Sequence, residues 1–507
     1  MELRPELDEL MDSYRTRPIS RRTFVERALK LGLSVPAAAA LLAACGSSDD
    51  DDASGTTSST SAAPGDLKGR VQILVGFGTG NAPAQVPVQE TLARAFMTAN
   101  PGVTIEFLRS PGSGDARTKL TTLIAGGEPP DIVMPAGLYG VSLFVDQNVW
   151  LDLGPLAARD GVSLDAFVPE TVPATRVTNY FGTDSKHIIG LPVGVHDHAL
   201  AYNVGLFSKA GVAPPPTDWT DATWSLEGRF LDAARALTVD GAGRNPGDPG
   251  FDAGGITQFG VGHFFREGVF YGFGGHLYDP ASRTAQFATP ESVAGIQFAA
   301  DLVKRHKVQP GPTEVASLGA GASKGSEEQF AWRAGKLAMI DMCSCDIKSP
   351  FGTDVPFEWR AAAMPTGPKR RFGFLNLDVG ALVRAGKNQE AAWQVLKYFA
   401  VDPATEATLA YESYGAVPPL AVNRDAFVTG IRADLPSVDP QVWIAGFPSA
   451  SPENESWFPA FAEVNDLIGK SFDQIVGGTP AAQAMPMLQA QAQAKIDEWF
   501  RTNNLPS

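Results

Sequence analysis

Val71-Gln72-Ile73-Leu74-Val75 is a short apolar β run stopped by Gly76-Phe77-Gly78-Thr79-Gly80. The alternation of elements after this loop decides the fold. Val88 to Ala99 places Leu92, Ala95 and Phe96 on one helical face and is closed by Asn100-Pro101-Gly102. Val103 to Leu108 returns to a strand pattern, Arg117 to Ala125 is helical up to Gly126-Gly127, and Asp131-Ile132-Val133-Met134 is a third strand. Strands alternating with helices predict a parallel sheet with helices on both faces, the signature of an α/β protein. Further on, Ala199 to Asn203, Lys336 to Asp341 and Asp378 to Val383 read as strands. Arg229 to Leu237, Glu291 to Lys304, Gln389 to Ala400 and the glutamine-rich Ala481 to Phe500 read as helices. These are too many units for one small sheet and they show no fixed-period repeat, so two α/β lobes are expected.

Upstream, Ser20-Arg21-Arg22-Thr23-Phe24 precedes an apolar stretch from Ala28 to Ala44 and the sequence Leu42-Ala43-Ala44-Cys45-Gly46. The arginine pair with Phe24 resembles a twin-arginine export signal. Leu-Ala-Ala-Cys resembles a lipobox, which implies cleavage before Cys45 and lipidation of its thiol. Residues 1–45 are thus expected to be the signal, and 46–66, rich in Gly, Ser, Thr and Asp49 to Asp52, a solvated tether. Cleavage leaves 507 − 44 = 463 residues, enough for two or three domains.

Hydrophobic residues at 44% and charged ones at 19% fit a soluble globular chain with a sizeable core. A formal charge of −15 argues against nucleic acid, whose phosphates need a basic face. Of three cysteines, Cys343 and Cys345 flank Ser344. A bridge across one residue is strained, so no ordinary disulfide framework is expected, and the pair can be free, bridged or ligating.

Motifs with catalytic spacing lack their context. Gly321-Ala322-Ser323-Lys324-Gly325 fits G-x-S-x-G, yet no strand precedes the serine. The glycines after Val75 miss the G-x-G-x-x-G spacing by one position. That loop, with Phe77 and Thr79, reads instead as a strand end whose amides face a ligand. His196-Asp197-His198 would place both imidazoles on one face of an extended chain and is the strongest metal candidate, but a third ligand would have to come from elsewhere. No metal or other cofactor is expected; polar contacts to a small molecule suit these residues better. Aromatic clusters at Phe264-Phe265, Phe270-Tyr271-Gly272-Phe273, Tyr411 with Tyr414, and Trp457-Phe458 lie in Gly- or Pro-broken regions, where flat rings stack on sugar faces or simply pack.

Five segments in order resemble family 1 extracellular solute-binding proteins. Leu120 to Ile132, with Ala125-Gly126-Gly127-Glu128-Pro129-Pro130-Asp131, is similar to the family's "AgG-x-PPD". Gly190-Leu191-Pro192-Val193 with Ala201-Tyr202-Asn203 through Leu206-Phe207-Ser208-Lys209-Ala210-Gly211 resembles "P…YN-x-x-LF-x-KAG". Pro214-Pro215-Pro216-Thr217-Asp218-Trp219, Phe330 with Ala334-Gly335-Lys336-Leu337-Ala338-Met339, and Gly415-Ala416-Val417-Pro418 complete the set. The resemblance implies the two-lobed periplasmic-binding-protein type II fold, with hinge-linked lobes around a central cleft. It places crossings near His196 to Leu200, Met339 to Cys343 and Gly380 to Val383. One lobe is expected over 67–197 plus 343–381, the other over 198–342 plus 382–507.

The residues then expected at the ligand are Phe77, Thr79, Tyr139, His196, Asp197, Phe264, Tyr271, Cys345, Asn376, Tyr414 and Trp457. Cys345 stands where the family often has a stacking ring, a departure for which Trp457 and Tyr414 are the candidate replacements. The function implied is a monomeric, lipid-anchored receptor on the outer face of the cytoplasmic membrane. It would hand a small solute, foremost a carbohydrate, to ABC permease subunits, with no bond made or broken. An exported glycan hydrolase with paired carboxylates, a His196–His198 metal receptor, and iron, polyamine or peptide cargo are the alternatives.

Overall fold

The computed structural model describes residues 67–77, 79–111, 113–177, 187–262, 266–321, 327–371, 373, 375–449 and 457–503. The expected signal and tether, including Cys45, and the expected stacking residue Phe264 lie outside them.

The first sheet grows from the opening strand. In β1 (Gly69–Val75) Val71, Ile73, Leu74 and Val75 are all fully buried, because the strand is covered on both faces. Helix α1 (Val86–Ala99) turns Gln89, Ala93 and Phe96 inward at spacings of four and three, with Pro87 in its first turn. Strand β2 (Val103–Arg109) then pairs parallel with β1, Gly69 opposite Val103 through Val75 opposite Arg109. Helix α2 (Ser113–Ala125) buries Ala116 and Leu120 and leads to β3 (Ile132–Gly137), also parallel to β1. Strand β4 (Leu191–His196) belongs to the same sheet, and its next residue but one, His198, begins β5 (His198–Asn203) in another. Asp197 alone spans the change of sheet.

The second sheet has three strands, with β5 central. Strand β6 (Met339–Cys343) lies antiparallel on one side, Cys343 opposite His198, and β7 (Trp359–Ala362) on the other, Trp359 opposite Asn203. Beneath β5, Leu200 and Tyr202 pack with Trp224, Phe230, Phe298, Leu302 and Met364. Helix α3 (Pro290–Lys304), capped by the Thr289 hydroxyl accepting from the Ser292 amide, covers that core.

Strand β8 (Asn376–Leu382) rejoins the first sheet between β3 and β4, in the order β2-β1-β3-β8-β4. It runs antiparallel to both neighbours, so the expected parallel sheet holds only for its first three strands. The reason is connectivity: β8 is entered from the second sheet rather than through a helical crossover. Helix α4 (Gln389–Val401) then lays Trp393, Leu396 and Phe399 against the first sheet's core. The lobe limits expected from sequence differ from these pairings. Trp359–Ala362 is laddered to the second sheet, and Gln389–Val401 packs on the first.

Helices α5 (Gln441–Gly446), α6 (Phe461–Gly477) and α7 (Ala481–Thr502) close the chain. The glutamines of α7 have a structural task. Gln489 Oε1 accepts from the Phe287 amide at 2.7 Å and Gln493 Oε1 from the Ala285 amide at 2.9 Å, so α7 serves as hydrogen-bond partner to a strand edge.

Candidate functional site

Where the two sheets meet, the chain brings together polar side chains that apolar strands would not otherwise carry. His196 ends β4, and its Nε2 shares a hydrogen bond with Asp378 Oδ2 of β8 at 3.1 Å. His198 opens β5, and its Nδ1 pairs with Asp341 Oδ1 of β6 at 2.7 Å. Between them Asp197 is fully buried. Its Oδ1 accepts from the His198 amide at 2.8 Å and its carbonyl from the Ser344 amide at 3.0 Å, while Oδ2 has no partner among the described residues.

This junction is sealed from behind by α5. Trp443 Nε1 donates to the Met342 carbonyl at 3.1 Å, and Trp219 Nε1 donates to the Val442 carbonyl at 2.7 Å. Gly446 lies so close that a Cβ there would run into the Asp197 carboxylate and sit 2.7 Å from the Trp219 ring. Glycine is required at this position by close approach.

Burial dominates the electrostatics. It pushes the Asp197 carboxyl well above the usual carboxylate range, with the charges of Asp341 and Glu170 adding to the effect. Burial also raises Asp346 to about 6, against the pull of His198 and His196. Tyr414 is buried next to Asp378 and is held well above an ordinary phenol by burial and then by that carboxylate. Its hydroxyl has no partner among the described residues, nor do Asp341 Oδ2 and Ser344 Oγ. So many buried polar atoms left unpaired in one place are costly unless something else binds them, each on the order of 1–3 kcal/mol.

Cys343 and Cys345 form a disulfide, one of the three states the sequence left open. The 3-10 turn Ser344–Asp346 folds the chain back so that their Cα atoms are 5.2 Å apart, inside the span a bridge requires. The sulfurs and a His196 ring nitrogen all lie within 4.8 Å of one another. His198 is not part of that grouping; its Nδ1 is turned to Asp341.

Of the residues expected at the ligand, His196, Asp197, Cys345, Asn376 and Tyr414 come together here. Asn376 faces solvent at the start of β8, directly opposite His196 in the register. Gly415, in the left-handed region at φ 64°, carries the chain past Cys345.

The others are placed elsewhere. Phe77 is core, edge-on to Phe144 at 5.9 Å, and Thr79 Oγ1 accepts from Gln85 Nε2 at 2.5 Å. Tyr271 is buried against Phe270 with the Arg370 guanidinium 5.4 Å from its ring. Tyr139, 46% exposed, hydrogen-bonds through its hydroxyl to Asn465 and meets Phe461 edge-on at 5.9 Å. Trp457 is half-buried against Trp499 at 5.9 Å.

Tyr139 and Trp457 belong to a second contact, between residues 138–147 after β3 and residues 457–465. Asp146 sits in it. Burial and then the charge of Glu463 raise its carboxyl to about 7, while the Trp499 and Trp457 indoles and the Phe461 amide draw it down.

Sequence reasoning missed Asp378, Asp341, Asp346 and Ser344. A signal existed for two of them. Asp341 interrupts Met339-Ile340-Asp341-Met342 and Asp378 interrupts Leu377-Asp378-Val379, and a carboxylate inside an apolar strand must have a partner.

The profile of the bacterial extracellular solute-binding protein family matches residues 78–406. The chain belongs to this family. A protein of Brucella abortus described as a binding protein is 24% identical over 314 residues, 62% of this chain and 68% of its own length. Among solved structures, an ABC substrate-binding protein of Listeria monocytogenes, in complex with cycloalternan, superimposes with a TM-score of 0.65 at 17% identity. That match covers 87% of this chain and all of the other. The GacH receptor of Streptomyces glaucescens, studied with acarbose, gives 0.62 at 19% identity over 86% of this solute-binding protein and all of the receptor. The two-lobed α/β fold expected from the sequence is therefore the fold observed, and the family is one of extracytoplasmic substrate receptors. Among the described residues no helix is long and apolar enough to cross a membrane.

Proposed function

We propose that this solute-binding protein is the lipid-anchored receptor of an ABC importer and that its cargo is a carbohydrate. The observation that carries the ligand class is the set of buried polar atoms without protein partners around Asp197, next to exposed Asn376. Asp341 Oδ2 accepts, Asp197 Oδ2 donates when its raised carboxyl holds the proton and accepts when it does not, and the Ser344 and Tyr414 hydroxyls donate or accept. A neutral polyol offers hydroxyls that do both, and so meets such a mixed set better than an anion would. The cycloalternan and acarbose complexes of the similarly folded receptors favour the same class. Hinge closure about Asp197 would bring the second sheet and the first onto the guest. Cleavage before Cys45 and its acylation would hold the lobes near the permease through the 46–66 tether, each buried methylene of the lipid adding about 0.8 kcal/mol.

A thermal-shift panel of malto-oligosaccharides, cyclic tetrasaccharides, pseudo-oligosaccharides and monosaccharides tests the ligand class. A true ligand at a hundredfold excess over its Kd stabilises the folded chain by about 2.7 kcal/mol. Absence of a shift with every carbohydrate, alongside a shift with an amino acid, polyamine or metal chelate, would replace the carbohydrate with that solute.

A further inference from the structure

We propose that, once the Cys343–Cys345 bridge is reduced, the two thiolates and the His196 imidazole form a coordination site for one soft d10 cation of the zinc class. This is independent of which solute the cleft carries.

Three observations converge. The two sulfurs and a His196 ring nitrogen already lie within 4.8 Å of one another, with His196 and Cys343 buried and Cys345 half-buried. Tetrahedral zinc with bonds of about 2.0–2.3 Å separates its ligand atoms by about 3.3–3.8 Å. The atoms therefore need move little to reach that spacing, apart from the opening of the bridge itself. Second, His196 is prepared as a ligand: Nε2 is engaged by Asp378, which leaves Nδ1, buried and without a partner among the described residues, as the nitrogen for the cation. A carboxylate behind a histidine is the arrangement that orients metal-bound imidazoles. Third, the Cys345 amide donates to Cys343 Sγ at 3.2 Å, a bond that favours negative charge on that sulfur. Two thiolates and an imidazole select soft or borderline cations over calcium or magnesium. A three-ligand set leaves one position for water or a further donor.

The step balances by thiol exchange. A dithiol reductant gives two electrons and two protons to the Cys343–Cys345 disulfide and is itself oxidised to a disulfide. The protein dithiol then loses two protons to solvent as it takes up one divalent cation. In the bridged form neither sulfur carries the charge that ligation needs, so cation binding and the disulfide exclude each other.

The test loads the full chain with zinc alone. Protein reduced with a phosphine under nitrogen, and protein left oxidised, are incubated with zinc sulfate, desalted and analysed for bound metal. Reduced protein is expected to retain one zinc per chain and oxidised protein none. Cys343→Ser, Cys345→Ser and His196→Ala should each abolish retention, Cys45→Ser should keep it, and Asp378→Asn should weaken binding about 10- to 100-fold. Alkylation of Cys343 and Cys345 in the reduced wild-type chain, read by mass spectrometry, needs no variant and should slow when zinc is present. Reduced protein with both thiols titratable that retains no zinc overturns the proposal. So does equal retention by oxidised protein, or alkylation at Cys343 and Cys345 that zinc does not slow.

Discussion

Replacing Asp146 with asparagine should make this protein more stable at alkaline pH and less stable in acid. The carboxyl sits between the segment after β3 and the start of α6, with Oδ1 buried and lacking a full hydrogen-bond partner among the described residues. Burial and Glu463 raise it from 3.8 to about 7. Below pH 4 both folded and unfolded chains hold the proton and the group contributes nothing. As pH rises from about 4 to 7 the unfolded chain releases the proton while the folded chain keeps it, so stability falls across that window and is level above it. The rise corresponds to about 4 kcal/mol of lost stability, at roughly 1.36 kcal/mol per pH unit. Asparagine is neutral throughout and keeps an acceptor oxygen for the Trp457 and Trp499 indoles. Its amide nitrogen must still be accommodated, so a net gain of about 2 kcal/mol at pH 8 is expected. Scanning fluorimetry from pH 4 to 8.5 reads this directly. At about 2–4 °C per kcal/mol for a lobe of 150–250 residues, Asp146→Asn should melt several degrees higher at pH 8 and several degrees lower near pH 4, where only the cost of the amide remains. A variant that melts lower at pH 8, or whose difference from wild type does not change with pH, would refute the burial assigned to this carboxyl.

Three other perturbations have defined outcomes. His196→Ala removes the hydrogen-bond partner of buried Asp378 and should lower stability by about 1–3 kcal/mol, with loss of ligand-induced thermal shift; unchanged ligand response would remove His196 from the site. Gly446→Ala must displace the Asp197 carboxylate or the Trp219 ring, and overpacking of this kind costs about 1–3 kcal/mol, measurable by denaturant melts. Cys45→Ala, or globomycin on cells, should leave a full-length precursor on immunoblots, whereas normal processing of the mutant would end the lipid-anchor assignment.

The regular part of the fold was legible because each element carried its own period. Val71–Val75, Val103–Leu108 and the Trp393, Leu396, Phe399 stripe bury in the structure what their patterns said they would bury. The antiparallel insertion of β8 was not legible, since neither Asn376 nor Leu382 encodes which strand it will lie beside. That choice is made by the path of the chain out of the second sheet. Among the site candidates, His196 and Asp197 met because the change of sheet at Asp197 keeps neighbours in sequence neighbours in space, and Asn376 met them through its register opposite His196. The aromatic candidates had no such constraint. Phe77 and Tyr271 are consumed by packing, with rings buried against Phe144 and Phe270, and nothing in Gly-broken context separates a core ring from a platform.

The polar junction also explains why the chain tolerates so expensive an interior. Asp197 is buried, raised well above the ordinary carboxylate range and within the field of Asp341, which in a pure scaffold would be replaced at a gain by an apolar residue. Yet Gly446 is kept small to admit it, Ser344 donates to its carbonyl, and the flanking histidines are each fastened to a separate strand, His196 to β8 and His198 to β6. Rotation of the second sheet about Asp197 would leave both bonds intact, since His196 is tied within the first sheet and His198 within the second. A connection that is polar and held from both sides has more than one way to satisfy its hydrogen bonds, whereas a greasy one has only its packing. Substituting Asp197 by leucine should therefore raise or preserve the melting temperature of ligand-free protein while abolishing the ligand-dependent increase. If Asp197→Leu binds carbohydrate like wild type, the junction is a scaffold detail and the receptor's recognition lies elsewhere.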